Sequence, residues 1–382
     1  MFKATPPMGW NSWNTFGEDI NEEVIMQMAD VMVEKGFLDK GYEYLVIDDC
    51  YALRERGEDG RIVPDPVKFP HGMKYVADYV HSKGLKFGMY SCAGTLTCAG
   101  YPSSYNHEFV DAATFAEWGV DFLKYDYCYH TPIVHGKYLY RRMAAALNNC
   151  GREILFSACS WGSDKTHEWI KETGASMWRS TGDINDSWAS VRKLLRQQEE
   201  ILPYTGVGCF NDMDMLIVGM YGKGNVAVSG CTDTQYKSHF SMWALFGSPL
   251  MMGCDLRSIS DEAYKILTNE ELIKINQDPA CRQLVKLNAW EESNEWNRAD
   301  DKAVYYRALA DGDFAIGLFN LGADKNRLQF FTEELGLPES TGKTLKLKEV
   351  WTGEEKVVTN GVYITEIEPY DCKVFRASVI DK

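Results

Sequence analysis

The chain reads as an α/β protein: a (β/α)8 TIM barrel over residues 1–280, then a C-terminal antiparallel β-sandwich domain over residues 281–382. Three observations predict this. Short apolar runs alternate with segments of helical periodicity through the first three-quarters of the chain, and such alternation implies a parallel sheet. Near Asp278 the texture changes to short β-branched and aromatic runs separated by turns. The length, 382 residues, exceeds the ~250 of a typical α/β barrel and leaves room for a smaller second domain.

Taken in order, Met8–Asn11 is a short apolar opening, and Asn21–Lys35 carries Val24, Ile25, Met28, Ala29, Met32 and Val33 at helical spacing. Strands then follow at Tyr44–Asp48, Lys86–Ser91, Phe122–Tyr127, Ile154–Cys159, Met177–Thr181, Val207–Asn211 and Leu245–Met251. Between them helices are expected at His71–Lys83, Glu108–Trp118, Tyr138–Asn149, Asp164–Thr173, Asp186–Glu200 and Thr234–Trp243. Eight such units close naturally into a barrel, and no glycine-rich phosphate fingerprint follows the first strand to favour an open doubly wound sheet. In the second domain Ala303–Ala308, Phe314–Asn320, Arg327–Phe331, Thr344–Trp351, Glu355–Val358 and Tyr363–Glu368 read as strands, with turn signals at Asp311-Gly312-Asp313 and Asn360-Gly361. No low-complexity linker intervenes, so the two domains are expected to pack together.

A net charge of −15 argues against nucleic acid or acidic polymers as partners, because binding those depends on clustered Lys and Arg. No apolar run approaches the ~20 residues of a membrane span, so no membrane partner is expected. Neutral substrates fit better, and 11 Trp and 21 Tyr include rings that could stack on sugars, although most serve as core hydrophobes. The opening Met1-Phe2-Lys3-Ala4-Thr5-Pro6-Pro7 lacks a signal-peptide pattern, so the chain is expected to be cytoplasmic, with a processed secreted form left open. Eleven cysteines, without C-x-x-C pairs, argue against zinc and for mostly reduced, buried thiols.

In a barrel of this kind the strand ends and the loops after them form the active face. In Asp121-Phe122-Leu123-Lys124-Tyr125-Asp126-Tyr127-Cys128, residues i and i+2 share a strand face, which sets Lys124 beside Asp126. A neighbouring ammonium favours the ionised carboxylate and suits a group that attacks rather than donates a proton. Similar strand ends recur at Asp48-Asp49, Tyr90, Ser160-Trp161, Arg179 with Asp183, and Asp212 with Asp214. One face therefore gathers at least five carboxylates, a lysine and an arginine. Such a pocket serves either a divalent cation held by oxygen ligands or a glycosidase with a nucleophile, an acid/base and further acids for sugar hydroxyls. No histidine lies at these strand ends, and Lys124 and Arg179 would repel a cation, so the glycosidase reading is preferred and neither metal nor cofactor is expected.

Several ordered stretches carry a resemblance. Pro7-Met8-Gly9-Trp10-Asn11-Ser12-Trp13, Ile47-Asp48-Asp49-Cys50, Gly88-Met89-Tyr90, Thr97-Cys98-Ala99-Gly100, Leu123-Lys124-Tyr125-Asp126, Gly182-Asp183-Ile184, Asn211-Asp212-Met213-Asp214-Met215 and Ile275-Asn276-Gln277-Asp278-Pro279 resemble glycoside hydrolase family 27. This is the α-galactosidase and α-N-acetylgalactosaminidase (melibiase) group, and the resemblance covers essentially the whole chain. It implies the same barrel and β domain that the periodicity predicts.

The resemblance further implies an exo-acting, retaining glycosidase that removes terminal α-D-galactosyl residues from neutral carbohydrates by double displacement. Asp126 would be the nucleophile and Asp183 the general acid and base. Trp13 would wall the sugar, Asp48 and Asp49 would hold its O4 and O6 hydroxyls, and Tyr90, Cys98, Lys124, Ser160, Trp161, Arg179, Asp214 and Met215 would complete the contacts. Asp183 is expected to have the higher pKa of the catalytic pair, because Lys124 stabilises the charge on Asp126 and that charge disfavours ionisation of Asp183. Cys98 and Cys128 match a pair bridged in family members, whereas Cys50 and Cys159 match bridged positions whose partners are replaced here by Glu18 and Ala175. The lost partners support a reducing, cytoplasmic setting.

The departure from the family pattern lies at Cys159-Ser160-Trp161-Gly162-Ser163. Typical α-galactosidases have glutamate where Ser160 stands, and members acting on N-acetylgalactosamine have serine there with a small residue three positions on, as Ser163 is. The resemblance therefore keeps α-N-acetylgalactosaminidase as an alternative, followed by β-L-arabinopyranosidase and isomaltose-releasing activities and, with least support, a non-catalytic sugar-binding protein. It leaves homo-oligomerisation open.

Overall fold

The computed structural model describes residues 4–287 and 301–382; Met1, Phe2 and Lys3, at the start of the stretch read for a leader, lie outside the described residues. Eight parallel strands form the first domain: β1 Met8–Asn11, β2 Tyr44–Val46, β3 Lys86–Cys92, β4 Phe122–Asp126, β5 Leu155–Cys159, β6 Met177–Arg179, β7 Phe210–Asp212 and β8 Leu250–Met252. Their order is β7-β6-β5-β4-β3-β2-β1-β8. Leu216, just after β7, bridges in parallel to Met252 and brings the two ends of the sheet together. There the Leu216 amide donates to the Met251 carbonyl at 2.7 Å and the Gly253 amide to the Leu216 carbonyl at 3.0 Å.

The two-residue period of a strand divides the apolar residues into two layers. Tyr44, Val46, Phe122, Leu155, Met177, Phe210 and Met251 pack together inside the barrel. Their neighbours Leu45, Leu123, Phe156 and Trp178 join the layer between sheet and helices. Continuing the inner face toward the strand ends replaces apolar side chains by polar ones: Phe122 leads to Lys124 and Asp126, Met177 to Arg179, and Phe210 to Asp212. The helices begin at legible caps. Asn21 accepts from the Val24 amide ahead of Glu22–Glu34, and Thr232 with Gln235 forms a capping box on Asp233–Phe246.

Two expected elements differ. In place of a helix over Asp164–Thr173 there are two short 3₁₀ segments, Ser163–Glu168 and Ile170–Thr173, because Asp164 and Lys165 take left-handed φ values of 55° and 51° that no α-helix admits. The eighth strand begins at Leu250 rather than Leu245, since Leu245 and Phe246 end the preceding helix and Gly247 caps it at φ 68°. The short helices Asp261–Leu267 and Glu270–Asn276 follow β8.

Among the described residues the strands of the second domain all pair antiparallel. The domain contains β9 Val285–Leu287, β10 Lys302–Ala308, β11 Phe314–Asn320, β12 Asn326–Phe331, β13 Lys343–Glu349, β14 Glu355–Val357, β15 Val362–Ile367 and β16 Cys372–Asp381. Six strands make one sheet in the order β14-β13-β16-β11-β10-β9, and β12 pairs with β15 to cover it. Ile316, Leu318, Leu328, Phe330, Leu345 and Phe375 fill the space between. The domains share an interface: Trp188 Nε1 donates to the Leu321 carbonyl at 3.0 Å, Trp351 Nε1 to Ser241 Oγ at 3.1 Å, and Tyr305 Oη to Glu199 at 2.8 Å. Among the described residues no helix is long and apolar enough to cross a membrane.

Candidate active site

A cavity of about 410 Å³ opens at the C-terminal ends of the barrel strands. Trp13, Asp48, Asp49, Tyr90, Cys98, Lys124, Asp126, Trp161, Arg179, Asp183, Asp214 and Met215 line it, all of them expected from the sequence. Ser160 does not. It is buried under the loop after β5, and its hydroxyl lies 2.5 Å from Thr166 Oγ1 instead of facing the cavity. Asn14, Ile184 and Val226 line the cavity without having been expected; Val226 comes from the long loop after β7, far from any strand end that could flag it.

The barrel supplies two cations, each shared between acids. Lys124 Nζ lies 2.8 Å from Asp48 Oδ2 and 4.0 Å from Asp126 Oδ2. Arg179 Nη2 lies 2.7 Å from Asp183 Oδ1 and 2.8 Å from Asp214 Oδ2. Backbone amides also orient three of the carboxylates. Asp126 Oδ1 accepts from Tyr127 at 2.9 Å, Asp49 from Cys50 at 2.8 Å and Ala99 at 2.9 Å, and Asp214 from Ile184 at 2.6 Å and Met215 at 2.7 Å. Asn11, absent from the sequence-based set, donates to Asp48 Oδ2 at 2.7 Å and so orients it; its place on β1, facing the second strand's end, was the available signal.

The loops after β3 and β4 are joined by the Cys98–Cys128 disulfide, while nine cysteines are free, eight of them buried. The sulfurs of Cys98 and Cys128 and a carboxylate oxygen of Asp126 lie within 4.8 Å of one another. Because the two sulfurs are bonded to each other, that group is not a set of thiolate ligands.

The proton order differs from expectation. Burial pushes the Asp126 carboxyl up to about 6, against the opposing pull of Lys124. Asp214 is likewise raised to about 6 by burial, opposed by Arg179. For Asp183, burial in the cavity mouth acts upward, but the Arg179 guanidinium overrides it and holds the carboxyl below its usual value. Asp183, not Asp126, is thus the more acidic of the two. The expectation rests on the charge on Asp126 and leaves out Arg179, which contacts Asp183 directly.

Comparison with known proteins follows the same division of the chain. Residues 5–278 match the family model of alpha galactosidase A, and residues 299–377 match that of the alpha galactosidase C-terminal beta sandwich domain. The α-galactosidase of Cyamopsis tetragonoloba is 41% identical over 372 residues, covering 97% of this chain and 85% of that protein. Alpha-galactosidase A of Cellvibrio japonicus is 39% identical over 393 residues, covering 96% of this chain and 92% of that protein. The crystal structure of α-galactosidase I from Mortierella vinacea superposes with a TM-score of 0.90 at 29% identity, covering 98% of this chain and 97% of that one.

Proposed function

Since the chain belongs to glycoside hydrolase family 27, the melibiase family, and is an α-galactosidase-type glycosidase acting on carbohydrate, we propose that it releases terminal α-D-galactosyl units by a retaining double displacement with Asp126 as nucleophile and Asp183 as acid and base. The observation that supports these roles best is the unequal setting of the two acids. Asp126 Oδ2 has only the Lys124 ammonium, 4.0 Å away, and accepts no hydrogen bond among the described residues, so a lone pair faces the cavity. Asp183 stands at the exposed side, where a leaving group departs and water enters.

In the first step Asp126 Oδ2 attacks the anomeric carbon while Asp183 gives its proton to the glycosidic oxygen, and the leaving group departs as an alcohol. The galactosyl–Asp126 ester then forms, with Lys124 countering the charge that passes on and off the carboxylate. In the second step Asp183 takes a proton from water, which displaces Asp126 and restores the starting anomeric configuration. Asp48 and Asp49, with oxygens already oriented by Asn11, Lys124 and backbone amides, accept hydrogen bonds from the O4 and O6 hydroxyls, and the Trp13 ring covers the sugar's apolar side.

The test is Asp126→Asn assayed on nitrophenyl α-galactoside, with N-acetylgalactosaminide, β-L-arabinopyranoside and α-glucoside in the same panel. The variant should keep its fold and lose about 10³-fold or more in kcat. Proton NMR of the first-formed sugar from the unaltered enzyme should show the α anomer. Activity retained in the variant, or a β anomer formed first, would overturn the proposal.

A further inference from the structure

We infer that Tyr129 and Leu96 form a leaving-group subsite at the rim of the cavity, an apolar platform on which the second sugar ring of an α-galactosyl oligosaccharide packs. This rests on the glycosidase reading above and says which substrates the site favours.

Tyr129 directly follows Cys128, which lines the cavity, and has φ +49°. An aromatic residue in the left-handed region is strained, and such strain persists only where the surroundings hold it. They do so here. The amide and hydroxyl of Thr95 both point to the Tyr129 carbonyl, at 3.1 and 3.3 Å. Gly94 lies so close to the Cys128 carbonyl that a Cβ on it would come within 1.9 Å, and the Cys98–Cys128 bridge joins the same two loops. The backbone of Tyr129 is thereby fixed, yet the residue is 58% exposed and its ring makes no hydrogen bond or ring contact among the described residues. The fold thus presents much of this residue to solvent.

Leu96 is the second member. It follows Thr95, stands two residues before the cavity-lining Cys98 and is 40% exposed. Trp161 takes the other side of the β4 loop: it too is left-handed, at φ +57°, lines the cavity and packs edge-on against Tyr127. The interior of the cavity is lined with carboxylates suited to hydroxyls, whereas this rim offers apolar faces suited to the C–H face of a pyranose. The continuity of rim and cavity identifies the occupant as the group attached to the galactosyl unit.

The test compares raffinose, an α-galactosyl trisaccharide, with methyl α-galactoside, which has no second ring. Tyr129→Asn removes the ring while suiting the left-handed backbone, so the fold is kept, and Leu96→Ala trims the second face. Tyr129→Asn should lower kcat/KM for raffinose about tenfold, mainly through KM, with Leu96→Ala a few-fold lower. For methyl α-galactoside and for inhibition by free galactose, the changes should stay below about twofold, within what loss of a remote contact allows. Equal losses on both substrates, or no loss on raffinose, in variants of an active enzyme would overturn the subsite alone. A wild-type enzyme inactive on both would overturn the glycosidase reading and the subsite with it.

Discussion

Arg179 binds Asp183 through a single nitrogen, Nη2, at 2.7 Å, and the same nitrogen also reaches Asp214 at 2.8 Å. The residue proposed as the acid, which would carry a proton into the reaction, is therefore tied in the free enzyme to the group that most disfavours that proton. Its partner Asp126, buried and only remotely countered by Lys124, is the one whose pKa rises. A substrate that occupies the cavity must loosen the Arg179–Asp183 pair or draw on the minor form in which the proton sits on Asp183.

The pH profile follows from this arrangement. The proposed mechanism needs one proton on the pair, and the two apparent pKa values belong to the pair, not to either residue alone. With Asp126 raised to about 6, the last proton leaves near that pH, after which both acids are ionised and the leaving group finds no donor. We expect kcat/KM to fall roughly tenfold per pH unit above about 6. The acid limb should lie below the ordinary carboxylate value, because Asp183 is lowered. A kcat/KM that stays flat through about pH 7.5 would show that the pair keeps its proton longer than this geometry allows.

Replacing Asp183 by Asn separates proton donation from attack. Galactosides with poor leaving groups, such as another sugar, should slow by about 10²–10⁴-fold, whereas a nitrophenyl group needs little protonation and should slow far less in the glycosylation step. Burst kinetics with the nitrophenyl substrate would report the second step, for which Asp183 is proposed as base. Equal slowing for both kinds of leaving group would remove Asp183 from the acid role.

Much of the site was legible because a strand displays its faces at a period of two. Phe122, Lys124 and Asp126 share one face in the sequence and share it inside the barrel, and the strands bearing Asp48, Arg179 and Asp212 repeat the pattern. The parts that were not legible depend on contacts between distant segments. Whether Ser160 faces the cavity or Thr166 is decided by the left-handed turn from Trp161 to Lys165, which helical periodicity cannot foretell. The acidity of Asp183 depends on the reach of Arg179 across its own loop. Strand β16 is not legible although Cys372, Val374 and Ala377 are buried along it, because its charged residues, Lys373 and Arg376, look like a solvated tail until β11 and β13 are seen on either side, where both are half-buried.

Gly94 allows the loops after β3 and β4, both at the cavity, to touch. A Cβ there would lie 1.9 Å from the Cys128 carbonyl oxygen and 2.4 Å from the Tyr129 carbonyl carbon, both backbone atoms that cannot swing aside. Gly94→Ala should destabilise the protein by about 1–3 kcal/mol through overpacking. It should also lower kcat/KM, since the displaced segment carries Cys128 and follows Asp126. Denaturant unfolding and kinetics on one galactoside measure both effects. Unchanged stability would mean that the loops part without cost.

Ser160 presents a choice that the structure sharpens. The family resemblance implies that this position reads the sugar's 2-hydroxyl, in which case Ser160→Glu would preserve or raise activity on plain α-galactosides and cut it steeply on N-acetylgalactosaminides. The geometry favours another outcome. Ser160 is 1% exposed, its hydroxyl lies 2.5 Å from Thr166 Oγ1, and Thr166 Oγ1 in turn donates to the Ser163 carbonyl at 2.5 Å. The Ser163 amide returns to the Ser160 carbonyl at 2.8 Å, which closes the turn that positions Trp161. Ser160→Ala should therefore cost about 0.5–1.5 kcal/mol and, by loosening the cavity-lining Trp161, weaken binding of every substrate alike. Ser160→Glu would bring a carboxylate into a buried space that already holds Thr166, at a cost of about 3–5 kcal/mol if the charge stays unpaired. Both galactoside activities should then fall together along with thermal stability. A Ser160→Glu protein of unchanged stability and raised α-galactosidase activity would show that the longer side chain reaches the cavity, and Ser160 would then belong to the substrate contacts after all.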